Sequence, residues 1–319
     1  MHIRPAPAAL TACAVAVGLA LGGCSDPGLP GGESSTHEGA RPDPAGGFGE
    51  WIAYGDDPRQ RVTLWPGEPG GGLLVAVHGG GWVAGSATGY VTEGNAMHDL
   101  LARAHEEGWW VAAAEYRYTD EAPWPATAED VHTAVRTAGQ EAREAGAGET
   151  VVLLGESAGG HLVALEGVEH PDEVDAVVSF YGMHDLTTPV QQRAATGCEP
   201  MEVGAPQIFG GEPETEAEQE RALAASPAHR IGPGAPELLL LHGTADCVVP
   251  HAQSVQLQEA AERHDVPVEL VTLEGLGHGG DDFWRDPAVT GAVSELLAAH
   301  AGEPEDAPSP GGAPGRADD

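Results

Sequence analysis

Short apolar runs alternate with longer segments of mixed polarity along most of this chain. Each run is rich in Val, Leu, Ala or Trp and is followed by turn residues, as buried parallel strands usually are. We predict strands at 61–65, 73–77, 109–115, 151–154, 176–180, 237–241 and 268–273. The intervening segments are often Ala-rich with Glu and Arg on one face, which predicts helices at 92–107, 126–145, 157–167, 252–264 and 287–299.

This alternation predicts an α/β fold: a mostly parallel central sheet with helices on both faces. One interval, at about 182–236, breaks the rhythm with Pro, Gly and acidic residues. We interpret it as an insertion over the carboxyl ends of the strands, where ligands bind in such folds. The whole domain is expected to cover 48–301.

The first 23 residues have the pattern of a secretory signal, with Arg4 before an apolar run at 8–21. The run ends at Leu21-Gly22-Gly23-Cys24, which resembles the lipobox of bacterial lipoproteins. That resemblance implies cleavage before Cys24, lipidation of its sulfur and attachment to the outer face of a bacterial membrane. Ordinary signal cleavage beside an incidental Cys24 is the alternative.

The segments next to the ends of the mature chain lack hydrophobic periodicity. Residues 24–47 are rich in Gly, Pro, Ser and acidic groups, which predicts a flexible spacer, and 302–319 are predicted to be a disordered tail. They account for part of the high content of 46 Gly and 26 Pro.

Charge narrows the choice of partners. The chain of 319 residues carries 14 basic and 50 acidic residues, a formal net charge of -36, and every basic residue is Arg. Such a surface repels phosphate backbones, so we expect no nucleic-acid partner. A soluble, solvated surface accounts for the acidity without an acid-specific function.

Four cysteines allow one internal pair. Cys13 would leave with the signal and Cys24 would carry lipid, which leaves Cys198 and Cys247. In an exported protein two remaining cysteines suggest a disulfide, although two free thiols are the alternative. We expect no metal site, because there is no C-x-x-C and the histidines are scattered along the sequence.

The central motif is Gly155-Glu156-Ser157-Ala158-Gly159, between a predicted strand and a predicted helix. A G-x-S-x-G in this context forms a sharp turn that exposes the serine hydroxyl, so Ser157 is the candidate nucleophile. Taken alone, the pentapeptide would be better explained by a serine that caps a helix after a strand.

A second motif makes that interpretation stronger. His78-Gly79-Gly80-Gly81-Trp82 follows the strand at 73–77, and consecutive glycines let backbone N–H groups approach a reacting carbonyl. We predict an oxyanion hole formed by the amides of Gly80, Gly81 and Ala158. A simple Gly-rich turn is the alternative.

A serine nucleophile needs a base and a carboxylate to orient the base. In this architecture they follow the serine in the order acid, then histidine. Asp246 follows the strand at 237–241, and His278 follows the last strand. Asp185 is the rival acid, while we expect His161 to be structural and His242 to pack or hydrogen-bond locally.

Together these motifs resemble α/β-hydrolases of the hormone-sensitive-lipase-like and bacterial feruloyl/acetylxylan-esterase-like group. Further similar segments are Glu115-Tyr116-Arg117-Tyr118 with Pro123-Trp124-Pro125-Ala126 and Asp130, Ser179-Phe180-Tyr181-Gly182 with Asp185-Leu186, and Ser226-Pro227. The acid turn, HGTADCVVP, departs from the D-P-x-x-D turn of typical hormone-sensitive-lipase-like members. We expect Arg117 to pack rather than touch substrate, and Trp82, Trp124 and Trp284 to line a pocket or belong to the core.

The resemblance implies a serine carboxylesterase that acts through an acyl-enzyme on short acyl, acetyl or feruloyl esters and needs no cofactor. Its expected partners are a small-molecule or polysaccharide-linked ester and, through Cys24, a membrane. Two alternatives stay open: an arylformamidase or peptidase with the same triad, and a non-catalytic binding lipoprotein on a hydrolase scaffold.

Overall fold

One central sheet organises the chain. The computed structural model describes residues 47–199, 208–209, 213 and 215–301. The predicted signal peptide, Cys24, nearly all of the spacer and the tail at 302–319 lie outside the described residues. Within them no helix is both long and apolar enough to cross a membrane.

The sheet has eight strands in the order β1-β2-β4-β3-β5-β6-β7-β8. Strands β1 and β2 run antiparallel to their neighbours, and all other pairs are parallel. The predicted mostly parallel sheet is therefore confirmed. In chain order the strands are Ile52–Ala53, Arg61–Trp65, Leu73–Val77, Trp110–Ala114, Val151–Glu156, Ala176–Phe180, Glu237–Gly243 and Val268–Leu273.

Alternating side chains of the central strands fill two separate cores. In β3, Leu73, Val75 and Val77 belong to one apolar cluster, whereas Leu74 and Ala76 belong to the cluster on the opposite face. Every residue of this strand is buried, because helices cover both faces of the sheet.

Nine α-helices are described, and they divide between the two faces. They are α1 Ala96–Glu106, α2 Ala126–Ala145, α3 Ala158–Glu169, α4 Pro189–Thr196, α5 Glu216–Ala224, α6 Pro227–Arg230, α7 Ala252–Arg263, α8 Asp281–Trp284 and α9 Pro287–His300. Buried residues of α1 and α9 share one core, and those of α2, α3 and α7 share the other. The prediction of helices on both faces is confirmed.

Several elements differ from the sequence prediction. Helix α1 begins at Ala96 rather than at residue 92, because the Asn95 side chain caps it by accepting a hydrogen bond from the Met97 amide. Strand β1 was not predicted, since two residues carry no periodicity. Helices α4, α5 and α6 lie inside the interval predicted as an insertion.

Candidate active site

Three strand ends bring the predicted catalytic side chains together. Ser157 directly follows β5, Asp246 follows β7 and His278 follows β8. Strands β5, β7 and β8 all run in the same direction in the sheet. The three residues that follow them therefore lie at the same edge of the sheet. The prediction that 157–167 is helical from its first residue is wrong, since Ser157 has φ 52° and ψ −116° and the helix begins after it.

Glycines make this strained turn possible. A Cβ atom on Gly159 would lie 2.1 Å from the Val77 carbonyl oxygen, and one on Gly155 would lie 2.4 Å from the Gly159 carbonyl oxygen. Both positions therefore exclude larger residues, and the turn holds Ser157 at a sparsely populated backbone conformation.

The three side chains form a continuous hydrogen-bonded chain. The Ser157 Oγ lies 2.9 Å from His278 Nε2, and His278 Nδ1 lies 2.7 Å from Asp246 Oδ2. With Nδ1 protonated toward the carboxylate, Nε2 accepts the serine proton. This is the geometry required of a nucleophile, a base and an orienting acid.

Asp246 is held ionised although it is buried. Burial by itself would raise its pKa, but hydrogen bonds from His242 and His278 bring the pKa well below its usual range. Its other oxygen, Oδ1, accepts hydrogen bonds from the amides of Val248 and Val249 at 2.7 and 2.9 Å. The loop therefore supplies the charge that a protonated His278 would need.

His242 has a role that the sequence did not indicate. It does hydrogen-bond locally, to Ser254 Oγ at 2.7 Å and to the Val249 carbonyl oxygen at 2.9 Å. Its Nε2 also lies 3.3 Å from Asp246 Oδ2, the oxygen that His278 contacts. In the sequence, only the spacing of four residues between His242 and Asp246 could have indicated this contact.

The glycine-rich loop lies beside Ser157. Gly80 has φ 119°, and a Cβ atom there would lie 2.0 Å from the Ala84 carbonyl oxygen. A Cβ atom on Gly79 would lie 3.0 Å from the Glu156 carbonyl oxygen. This loop therefore approaches the nucleophile turn with its backbone, as an oxyanion hole requires.

A cavity of about 370 Å³ opens at Ser157. Its walls come from the glycine loop, the nucleophile turn, the start of the insertion, the acid loop and the loop after β8. The lining residues are Gly79, Gly80, Gly81, Trp82, Glu156, Ser157, Ala158, Met183, Val248, Val249 and His278. The three residues predicted for the oxyanion hole are all among them.

Glu156 is a second residue that sequence reasoning missed. It lines the cavity next to Ser157 and accepts hydrogen bonds from the hydroxyls of Tyr90 at 3.0 Å and Tyr181 at 2.8 Å. Burial and the charge of Glu156 raise the pKa of both tyrosines well above 10.0, so the hydroxyls stay protonated donors. In the sequence, only the position of Glu156 inside the G-x-S-x-G motif indicated that it would lie at the active site.

The rival catalytic candidates have other partners. Asp185 accepts hydrogen bonds from Thr187 and lies 3.0 Å from His229 Nε2. His161 is fully buried, accepts from the Trp82 indole at 3.1 Å and contacts the Ala225 carbonyl oxygen at 2.7 Å. Neither side chain contacts His278 in these bonds.

The remaining predicted side chains pack. Arg117 forms a two-pronged ion pair with Asp130. Trp124 packs on His161, and Trp284 packs on Phe180. Of the three tryptophans singled out, Trp82 lines the cavity.

A disulfide joins Cys198, in the insertion, to Cys247, which adjoins Asp246. Arg193 adds a second link, because its guanidinium donates to the carbonyl oxygens of Val248 at 3.0 Å and Glu199 at 2.6 Å. The insertion and the acid loop are thus connected covalently and through hydrogen bonds.

Comparisons with known proteins agree with this geometry. The family model BD-FAE matches residues 68–261. This chain belongs to the BD-FAE family. Esterase LipC of Mycobacterium tuberculosis is 32% identical across 77% of this chain and 63% of its own length. The chain spans about three fifths of the length of the curated relatives it matches.

Solved structures show the same fold. A carbohydrate esterase from gut microbiota matches with a TM-score of 0.65 at 22% identity, covering 82% of this chain and 100% of that one. Thermogutta terrifontis esterase 2, solved after phosphoramylation by tabun, matches with a TM-score of 0.60 at 23% identity, covering 81% and 96%. This BD-FAE member has the α/β-hydrolase fold.

Proposed function

We propose that this protein is a serine carboxylesterase that works through an acyl-enzyme. The observation that carries the proposal is the chain of hydrogen bonds from Ser157 through His278 to Asp246, at a cavity bordered by the glycine loop. Membership of the BD-FAE family and similarity to a protein named esterase support it.

In the acylation step, Ser157 Oγ attacks the ester carbonyl carbon while His278 Nε2 takes the hydroxyl proton. The carbonyl oxygen becomes an oxyanion, for which the amides of Gly80, Gly81 and Ala158 are the proposed donors. Asp246 stabilises the imidazolium that forms. His278 then gives its proton to the leaving alkoxide, and the C–O bond of the ester breaks.

Water completes the cycle. His278 takes a proton from a water molecule, the resulting hydroxide attacks the acyl carbon, and the bond to Ser157 Oγ breaks. The serine recovers its proton from His278, and the carboxylic acid is released. Apart from the ester and the water molecule, these steps use only side chains and backbone amides of this chain.

Cavity size and charge support a short, uncharged acyl group. A volume of about 370 Å³, with Trp82, Met183, Val248 and Val249 among its walls, lies at the lower end of ligand pockets. A formal net charge of -36 opposes the approach of anionic substrates. Acetyl or similarly small esters, free or on a polysaccharide, are therefore the proposed substrates.

Hydrolysis of p-nitrophenyl acetate, butyrate and octanoate by the mature domain tests the proposal. We expect turnover of the acetate and butyrate, slower turnover of the octanoate, and almost none by Ser157→Ala. A formanilide substrate is the comparison: cleavage of the amide alone would favour the amidase alternative. No turnover of any substrate by the folded protein would favour a binding lipoprotein.

We also propose that the protein is exported and lipid-anchored through Cys24. The Leu21-Gly22-Gly23-Cys24 pattern supports the anchor, and the Cys198–Cys247 disulfide supports an oxidising compartment. Mass spectrometry of the N-terminal peptide from membranes of an expressing bacterium tests this. A diacylglycerol adduct on Cys24 is expected, and an unmodified N-terminus at another residue would contradict it.

A further inference from the structure

Two histidines and a carboxylate meet between α2 and α3, at the end of α3 remote from Ser157. They are His132 of α2, Glu166 of α3 and His170, which follows the last residue of α3. Each offers one metal-ligating atom, and these three atoms lie within 4.8 Å of one another. The sequence did not indicate this group, because His132 is distant from the other two along the chain.

Both histidines of this cluster lie against the same carboxyl group. Glu166 Oε1 lies 2.9 Å from His132 Nδ1, and Glu166 Oε2 lies 3.9 Å from His170 Nε2. The two imidazoles stack with ring centroids 3.9 Å apart. Ligand atoms about 2.0–2.2 Å from one tetrahedral zinc ion lie roughly 3.3–3.5 Å from one another, between the two distances to Glu166. To bind one ion, the two rings would have to rotate out of their stack so that one nitrogen of each faces the ion.

The carboxyl group of this cluster is buried, whereas the two imidazoles reach the surface. The Glu166 side chain is 4% exposed, while His132 and His170 are 27% and 35% exposed. The exposed edges of the two histidines give an ion a route from solvent to the buried carboxyl group.

We propose that His132, Glu166 and His170 bind a divalent transition-metal cation, with Zn²⁺ as the best match. Two imidazole nitrogens and one carboxylate oxygen are a typical zinc donor set, and solvent would complete the tetrahedron. Mg²⁺ and Ca²⁺ take oxygen ligands, so the site would discriminate against them.

The position of the site indicates a structural role. Glu166 lies nine positions after Ser157, which is about 14 Å along a helix. An ion held by His132 and Glu166 would link α2 to the helix that carries the nucleophile at its other end. Zn²⁺ would therefore raise thermal stability without taking part in ester hydrolysis.

Titration of tag-free protein with ZnCl₂, followed by calorimetry and thermal unfolding, tests the proposal. His132→Asn and His170→Asn are the variants. The control is His300→Asn, because His300 also pairs with a carboxylate, Glu237 at 2.9 Å, but has no third ligand among the described residues. None of these variants changes His278, so any weak binding of Zn²⁺ at the catalytic histidine would be the same in all of the proteins and would not affect the comparison.

We expect one Zn²⁺ site in the wild type and in His300→Asn, weakened by about ten-fold or more in each of the other two variants. Zn²⁺ should raise the unfolding midpoint of the first pair only, and MgCl₂ should raise none. If a histidine variant does not fold, Glu166→Gln, which keeps the shape of the side chain, should show the same loss. Equal Zn²⁺ binding by all the proteins, or equal loss in His300→Asn, would overturn the proposal.

Discussion

Asp246 is the residue on which two histidines converge. His278 contacts Oδ2 at 2.7 Å and His242 contacts the same oxygen at 3.3 Å, while two amides of the acid loop donate to Oδ1. A carboxylate with this many donors is fixed in orientation and remains ionised. It can therefore hold His278 in the tautomer that accepts the proton of Ser157.

The first prediction concerns this carboxylate. Asp246→Asn should lower kcat for p-nitrophenyl butyrate by about 10²–10⁴-fold, because an amide stabilises neither the tautomer nor the imidazolium. Asp185→Asn is the matched control and should keep near wild-type kcat, since Asp185 bonds to His229 and Thr187 instead. Steady-state kinetics with both variants shows whether Asp246 or Asp185 is the acid that orients His278. An active Asp246→Asn beside an inactive Asp185→Asn would reverse the assignment.

A second residue-scale prediction concerns pH and stability. Burial lowers the pKa of His161 from 6.5 to about 4, so the folded protein keeps this histidine neutral where the unfolded chain takes up a proton. The contribution of neutral His161 to the free energy of unfolding is therefore fully present above pH 6.5 and is lost as the pH falls toward 4. The slope for one proton is about 1.4 kcal/mol per pH unit.

His161→Gln should remove that part of the slope. The glutamine amide does not titrate, and its nitrogen can still donate to the Ala225 carbonyl oxygen, which lies 2.7 Å from His161 Nε2. The measurement is urea unfolding of both proteins between pH 4.5 and 6.5. Parallel curves of unfolding free energy against pH would show that His161 is not held neutral.

At the scale of elements, the glycine loop and the nucleophile turn fit together by backbone contact. Gly80 lies where a Cβ atom would reach the Ala84 carbonyl oxygen at 2.0 Å. Gly70 also has a positive φ, but a Cβ atom there meets nothing within 4 Å. An alanine at Gly70 would have only the strain of a positive φ. An alanine at Gly80 would have that strain and also a steric clash, so comparing the two variants isolates the effect of the clash.

Gly80→Ala should therefore reduce kcat much more than Gly70→Ala does. The collision would displace the loop that supplies the proposed oxyanion donors, and loss of one such donor costs about 10²–10³-fold in kcat. Kinetics and thermal unfolding of both variants provide the check. Equal kcat in the two would mean that the loop does not need its present position.

The sequence predicted most elements because their signals are local. Buried runs such as 73–77 and the strand-turn-helix context of Ser157 depend on neighbours along the chain. The start of α1 was displaced because Asn95 caps the helix. The grouping of His132 with Glu166 depends on packing between two separate helices, which no local pattern records. The contact of His242 with Asp246 is local, but it depends on how the acid loop turns back after its strand, which a spacing of four residues does not specify.

At the scale of the molecule, the disulfide ties the insertion to the acid loop across 49 residues of sequence. For a loop of this length the chain-entropy model gives about 4 kcal/mol of stabilisation. The double variant Cys198→Ser with Cys247→Ser should thus unfold at a clearly lower urea concentration. An unchanged midpoint would show that the contacts of Arg193 and the surrounding packing suffice.

The central claim is that Ser157 is the nucleophile of a serine carboxylesterase, and active-site labelling tests it most directly. The protein is treated with a fluorophosphonate, and peptide mapping by mass spectrometry is compared with residual hydrolysis of p-nitrophenyl butyrate. The account predicts one phosphonyl group per chain, on Ser157, with activity lost in the same proportion and no labelling in His278→Ala. Full hydrolytic activity after exhaustive treatment, or inactivation with the label on another residue, would contradict it.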